Sequence, residues 1–146
     1  AGQVPVALLE TAALAAMRYG NAPEHGEITI LVEANEDLRA LNSQFRDVDA
    51  PTDVLAFPAE ETDPETGNLY LGDIAIAYPY ASEQAAAAGH PAADELQLLV
   101  VHGVLHLLGL DHVDSEDTHT MWNAQYQIMD GLGIDIRSWP LISGPH

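Results

Sequence analysis

Three histidines stand close together in the stretch VVHGVLHLLGLDH, as His102, His106 and His112. Residues four apart on a helix project from the same face, so His102 and His106 can approach one metal ion together. Gly109 can adopt a left-handed backbone that ends the helix and turns the chain back, bringing His112 to the same point. Three imidazoles without a thiolate are typical of an open zinc site, whose fourth position is left for water.

Chance is a poor explanation of this spacing. Random placement of the 7 histidines in a chain of 146 residues would produce it about 0.015 times. The alternative is that these are surface or core histidines with ordinary hydrogen-bond partners. The segment from Glu95 to Leu110 is otherwise almost wholly apolar, and such a setting disfavours the charged form of imidazole. Metal binding uses the neutral form, so the pattern favours a metal site. The other histidines lie outside the spacing and are predicted to be surface or loop residues: His25, His90, His119 and His146.

The residue after the first histidine bears on the reaction class. The spacing resembles that of the metzincin peptidases, which carry a glutamate at that position as general base. Here the position is Gly103. Peptide hydrolysis by that route then lacks its proton acceptor, so a metallopeptidase is the weaker alternative. Phosphodiester hydrolysis gathers negative charge on phosphoryl oxygens, which requires a Lewis acid and a cation more than a dedicated base.

Arg46, in the segment FRDVDAPTD, is the candidate phosphate clamp. A guanidinium is a planar fork of donors that can hold two phosphate oxygens while staying charged. The same side chain could instead pair with Asp47, Asp49 or Asp53 to hold the loop, and both roles stay open. The nucleophile stays open as well. Zinc can lower the pKa of its water from 15.7 to about 7, whereas an RNA 2′-hydroxyl could attack the adjacent phosphate.

The charge of the chain argues against simple nucleic-acid binding. It carries 23 acidic residues against four arginines and no lysine, for a net charge of −19. Phosphate contacts draw on Lys and Arg, and repulsion slows the encounter with RNA. A divalent cation, a few focused arginines, a high-salt cytoplasm or a basic partner protein would each reduce that penalty. The alternative is that the acidic surface serves only solubility in concentrated salt.

Length and composition predict one domain with a substantial core, since 47% of the 146 residues are hydrophobic. There is no Cys, which excludes a disulfide framework, a cysteine nucleophile and a thiolate metal site. No apolar run is long enough for a membrane span, and no export signal is evident at the N-terminus. We therefore expect a soluble, cytoplasmic protein without a membrane partner.

Helices and strands are predicted from hydrophobic periodicity, turn residues and caps. The predicted helices are Pro5 to Tyr19, Asn35 to about Phe45, Ser82 to Gly89, a long histidine helix opened by Pro91, and Ser115 to about Leu132; the predicted strands are Glu27 to Glu33, Thr52 to Phe57 and Leu69 to Tyr78. Helices segregated around a few strands predict an α+β fold with a small mixed sheet. We expect a single domain over residues 1–133 and a loosely held C-terminal tail over residues 134–146.

Three segments together carry a family resemblance. NSQFRDVDAPTDVLAFP (Asn42 to Pro58), YLGDIAIAYP (Tyr70 to Pro79) and HGVLHLLGLDH (His102 to His112) resemble the YbeY family of bacterial metal-dependent endoribonucleases and ribosomal-RNA maturation factors. The resemblance covers about Pro5 to Gly133. It implies a zincin-like α+β fold and one zinc held by the three histidines of the last segment.

The resemblance also implies a function and partners. The function is cleavage of single-stranded RNA in the maturation of small-subunit ribosomal RNA and in ribosome quality control. The partners would be that RNA, together with basic small-subunit ribosomal proteins or a ribosome-associated GTPase. An alternative of another class is a ribosome-assembly binding factor with a mainly structural zinc, because an acidic body suits basic proteins better than bare RNA.

Overall fold

The computed structural model describes residues 5–22, 25–33, 40, 43, 54–109, 115–137 and 139. Within these ranges the secondary-structure elements follow the chain in the order α1 (Val6–Tyr19), β1 (Gly26–Glu33), β2 (Val54–Thr62), β3 (Leu69–Ala77), α2 (Tyr78–Ala88), α3 (Ala92–Leu107) and α4 (Ser115–Gly131). Residues 40 and 43 are also helical, and the rest of the helix predicted from Asn35 to Phe45 lies outside the described residues.

The described strands form a mixed sheet in the order β1-β3-β2. The central strand β3 is parallel to β1, with Ile30 opposite Ile74, and antiparallel to β2, with Ala56 also opposite Ile74. A tight turn joins β2 to β3, in which the N–H of Gly67 donates to the carbonyl of Asp63 at 2.8 Å. The α+β class with a small mixed sheet is therefore confirmed.

The histidine helix α3 lies at the centre of the molecule. Every residue from Glu95 to Leu105 is buried, as expected of a helix that is apolar on nearly all sides. It packs against α1, α2, α4, β2 and β3. Alternate residues of β3 belong to two apolar clusters: Ile74 and Ile76 join the main core with α3, whereas Ala75 and Ala77 form a smaller cluster with Leu55.

Two glycines allow α3 and β2 to approach β3 closely. Gly72 has φ +145, and a Cβ there would lie 2.3 Å from the carbonyl oxygen of Phe57 and 2.8 Å from Cδ2 of Leu107. A Cβ on Gly103 would lie 2.9–3.1 Å from three side-chain atoms of Ile74. Larger side chains at these positions would push the helix or the neighbouring strand away.

Two element boundaries differ from the sequence prediction. Strand β2 continues to Thr62, well beyond the predicted end at Phe57, because its acidic end still pairs with β3 through Glu61 opposite Tyr70. Helix α2 begins at Tyr78 and includes Pro79 in its first turn. A proline is compatible with that position, because the first N–H groups of a helix have no partner within it.

The first part of the predicted tail is not loosely held. Ile136 is completely buried, and Ile134 and Trp139 pack against the main core. This corrects the expectation from composition, which cannot detect a contact with a helix distant in sequence. The division of the chain into a domain over residues 1–133 and a tail over residues 134–146 stays a prediction.

Within the described ranges, no helix is long and apolar enough to cross a membrane.

Candidate metal centre

His102 and His106 lie one turn apart in the second half of α3, and their rings come together. The ring centroids are 4.6 Å apart, and the planes are inclined by 67° in an edge-to-face arrangement. His102 is only 1% exposed, and His106 is half-buried. The predicted common face of the two imidazoles is thus present in the fold.

A buried glutamine on α4 fixes the orientation of the His102 ring. Nδ1 of His102 lies 2.6 Å from Oε1 of Gln125, which is itself 3% exposed. An amide oxygen only accepts hydrogen bonds, so this contact requires the proton on Nδ1. In the neutral ring the other nitrogen, Nε2, then keeps its lone pair.

These two histidines offer a donor set that fits a divalent transition metal. The Nε2 atoms of His102 and His106 are both buried. Neutral imidazole nitrogens are ligands that suit zinc and neighbouring metals. The carboxamide of Gln125 stands where metal-ligating histidines commonly have an outer hydrogen-bond partner.

The position next to the first histidine has no room for a general base. Gly103 is buried, and Ile74 of β3 occupies the space into which a side chain would project. A glutamate at this position would require α3 to move away from the sheet. Close packing of the helix on the strand thus gives a physical reason for glycine where the metzincin peptidases have their base.

The remaining site residues predicted from the sequence lie outside the described residues. These are the third ligand His112 and the phosphate clamp Arg46, together with the alternative partners of Arg46, which are Asp47, Asp49 and Asp53. Gly109 follows Leu108, the residue that caps the C-terminal end of α3. It has φ +96, as predicted for a residue that ends the helix. Within the described part of the chain, no cluster of three or more His, Asp or Glu is placed to hold a metal ion.

Asp73 and Met121 make contacts that support the fold. The hydroxyl of Tyr70 donates to the carboxylate of Asp73 and is hydrogen-bonded at 2.8 Å to the hydroxyl of Thr29. Since Thr29 and Asp73 are also cross-strand partners, this network ties β1 to β3. Met121 is buried in the main core.

His90 is more than the loop histidine predicted from the sequence. It lies between α2 and α3, and its ring stacks on Trp139 with centroids 3.6 Å apart and planes inclined by 3°. Its Nε2 lies 2.6 Å from Oε1 of the buried Glu95. The stack links the C-terminal segment to the beginning of α3. No sequence pattern predicts this stack, because the two rings are far apart along the chain.

Gln125 was also missed at the sequence level, although a sequence feature could have identified it. The buried stripe of α4 contains Met121, Ala124, Gln125, Ile128 and Met129, which follows helical spacing. Gln125 is the polar member of that stripe. A polar side chain on an apolar helix face needs a buried partner, and His102 provides it.

One arginine of the four is held by a carboxylate in the described part of the chain. Arg137 donates from its Nη2 to Asp135 at 2.7 Å and from its Nε to both carboxylate oxygens. These hydrogen bonds lower the pKa of Asp135 to about 2 and raise the pKa of Arg137. The guanidinium also lies 5.7 Å from the ring centroid of Tyr126. With these partners in place, Arg137 is a weak candidate for a phosphate contact.

Comparison with known proteins gives a consistent result. The family model described as Endoribonuclease YbeY matches residues 6–133. A protein named Endoribonuclease YbeY from Geobacillus kaustophilus is 43% identical over 121 residues, which cover 78% of this chain and 78% of the relative. Another with that name, from Ruegeria pomeroyi, is 42% identical over 131 residues, covering 81% of this chain and 79% of the relative.

Solved structures support the same architecture. The solution structure of TM1509 from Thermotoga maritima superposes with a TM-score of 0.59 at 26% sequence identity. The match covers 98% of this chain and 93% of that one.

Proposed function

Because the chain belongs to the YbeY endoribonuclease family, we propose that it is a zinc-dependent endoribonuclease that cleaves single-stranded RNA. Its place would be the maturation of small-subunit ribosomal RNA and ribosome quality control in the cytoplasm. The observation that supports a metal-dependent reaction is the pair of buried histidines, His102 and His106, whose rings meet on one face of α3. We further propose His112 as the third ligand.

In this proposal the side chains divide the work between metal binding and substrate binding. His102 and His106 would hold the ion through Nε2, which is buried in both rings. When bound, the ion would act as a Lewis acid toward the phosphoryl oxygens, on which negative charge gathers. Arg46 binds two phosphate oxygens through parallel N–H groups and aligns the scissile phosphodiester.

The experiment combines metal analysis with RNA cleavage. Wild-type protein should bind about one zinc per chain and cleave a single-stranded RNA. His102→Ala should lose both properties while keeping its circular dichroism spectrum, and Arg46→Ala should keep the metal but lose cleavage. The matched control is His25→Ala, which removes an exposed histidine and should leave both properties intact. Undiminished cleavage by folded His102→Ala protein would contradict the proposal.

A salt series tests how this acidic chain meets RNA. An ordinary RNA-binding protein loses affinity steeply between about 50 and 200 mM salt, because its many basic contacts release counterions. A net charge of −19 repels RNA at long range, and salt screens that repulsion. Cleavage at low RNA concentration should therefore stay level or rise over this range. A steep decrease would show that basic contacts dominate.

The charge also favours a second candidate, a ribosome-assembly factor whose metal mainly stabilises the fold. A strongly acidic body is complementary to basic ribosomal proteins. This alternative predicts that a chelator unfolds the protein and that His102→Ala protein, where it folds, still captures basic small-subunit ribosomal proteins. Cleavage that depends on both His102 and Arg46 would favour the enzyme instead.

A further inference from the structure

We infer that Gln125 is a positioning residue of the metal centre, which holds the proton of His102 on Nδ1 and so keeps Nε2 available as the ligand atom. The inference rests on the proposed role of His102 in metal binding. It extends that role to a side chain on a different helix, α4, which the sequence pattern did not connect with the histidines.

The hydrogen bond between His102 and Gln125 selects one tautomer of the imidazole. His102 Nδ1 and Gln125 Oε1 are 2.6 Å apart, and both side chains are almost completely buried. A neutral imidazole has one N–H and one lone pair, and the partner decides which nitrogen carries the proton. Because the amide oxygen can only accept, the hydrogen bond selects the tautomer with the proton on Nδ1. The lone pair then lies on Nε2, on the opposite side of the ring.

The same hydrogen bond also fixes the orientation of the His102 ring. His102 lies edge-to-face with His106 at a centroid distance of 4.6 Å. A rotation of the His102 ring about its bond to Cβ would break the bond to Gln125 and leave a buried polar donor without its acceptor. Gln125 therefore fixes both the tautomer and the rotation of the His102 ring beside His106.

A second buried glutamine provides a contrast within the same core. Gln97 on α3 is 4% exposed, and its amide nitrogen donates to the carbonyl of Ala93 in its own helix at 3.1 Å. The two residues thus share a type and a degree of burial. Only Gln125 directs its oxygen at a histidine in the contacts described, so Gln97→Leu is a matched control for the loss of a buried amide.

The test begins with the metal-free protein. Long-range ¹H–¹⁵N correlation spectra of protein labelled at histidine report which ring nitrogen of His102 carries the proton. The inference predicts Nδ1–H in the wild type and in Gln125→Glu, whose carboxylate can accept the same bond. In Gln125→Leu the proton should be found partly or wholly on Nε2. A wild-type spectrum with the proton on Nε2 overturns the inference, whether or not the leucine variant folds.

The second measurement is zinc affinity by competition with a chromophoric chelator. Loss of an outer partner of a metal-ligating histidine typically weakens metal binding about 10–100-fold. We expect a loss of that size in Gln125→Leu, near wild-type affinity in Gln125→Glu, and no change in Gln97→Leu. Equal affinity of wild type and Gln125→Leu would overturn the inference, as would an equal loss in Gln97→Leu.

The outcomes separate this inference from the proposed function. Wild-type protein that binds no divalent metal contradicts the zinc-dependent reaction, while the tautomer of His102 in the metal-free protein still tests the hydrogen-bond assignment. Wild-type protein that binds zinc and cleaves RNA, with an unaltered tautomer in Gln125→Leu, contradicts the inference alone.

Discussion

A histidine lies near each end of helix α3, beside one polar partner. The two histidines make that contact through different ring nitrogens. Before the N-terminal end, Nε2 of His90 faces the carboxylate of Glu95 at 2.6 Å, and Trp139 covers the ring. Near the C-terminal end, Nδ1 of His102 faces the amide of Gln125 at the same distance.

This difference separates a structural histidine from a candidate ligand. At His90 the nitrogen farthest from the backbone bonds to a carboxylate, so the ring serves to link elements of the fold. At His102 the inner nitrogen is bonded, and the ring lies edge-to-face with that of His106. The ring nitrogen that is bonded therefore distinguishes the two histidines more directly than spacing alone.

The largest expected effect is the loss of metal in His106→Ala. Removing a direct ligand should weaken zinc binding by more than about 100-fold, beyond the usual cost of losing an outer partner. His90→Ala should leave the affinity unchanged, because its ring belongs to the other end of α3. Chelator competition on both folded variants measures this contrast. Equal loss of zinc affinity in the two variants would contradict the assignment of His106 as a ligand and of His90 as a structural residue.

The next effect is on stability and concerns the structural histidine. Trp139→Ala removes the stacked ring over His90 and part of the packing of the C-terminal segment. We expect the free energy of unfolding to fall by roughly 2 kcal/mol, from the aromatic pair together with the lost apolar contact. Urea denaturation of the metal-free protein measures this change. Zinc affinity should stay at the wild-type value, and a parallel loss of zinc would show that the two ends are coupled.

A smaller effect is expected at Gly103, which directly follows His102 in the second half of α3. Gly103→Ala places a methyl group against Ile74. Overpacking of this kind typically costs about 1–3 kcal/mol, while alanine regains about 1 kcal/mol of helix propensity. The net destabilisation should be about 1 kcal/mol, measured by urea denaturation.

Two further variants make the Gly103 experiment specific. Ile74→Val combined with Gly103→Ala should recover part of the loss relative to Ile74→Val alone, because the valine leaves more space. Gly131→Ala is the matched control, since a Cβ there meets no atom within 4 Å, and it should be neutral or stabilising. Destabilisation of equal size at both glycines would rule out the close approach as the cause.

The smallest effect concerns the segment that carries Trp139. Arg137 lowers the pKa of Asp135 from 3.8 to about 2, so the pair favours the folded state while the carboxylate is charged. That contribution is present above the ordinary pKa and is lost as the pH falls through about 2. Because both side chains are exposed, Asp135→Asn should change stability at neutral pH very little. Thermal unfolding between about pH 4 and pH 2 should depend less steeply on pH in the variant, and an unchanged dependence would contradict the assignment.

The parts of the fold that sequence predicts well are those with strong local patterns. The apolar periodicity and turn residues located α1, α3 and β3 to within a few residues. The family resemblance, carried by three segments, is confirmed by the family match over residues 6–133. Local pattern failed at the acidic end of β2, where pairing with β3 outweighs the poor strand propensity of Glu61.

The candidate site was predictable only along one helix. Spacing alone indicated that His102 and His106 share a face, and Gly109 indicated where that helix ends. Residue spacing could not indicate that Gln125 contacts His102 or that Trp139 contacts His90, because both contacts join segments distant in sequence. The roles of His112 and Arg46 stay predictions.

Binding of the metal ion by the imidazole nitrogens of α3 can be measured by X-ray absorption at the zinc edge, on protein loaded with one equivalent of zinc. We expect nitrogen neighbours at about 2.0–2.1 Å with the outer-shell scattering of at least two imidazole rings, and one ring fewer in His102→Ala. A first shell of oxygen alone, or a spectrum unchanged by His102→Ala, would show that these histidines do not hold the ion.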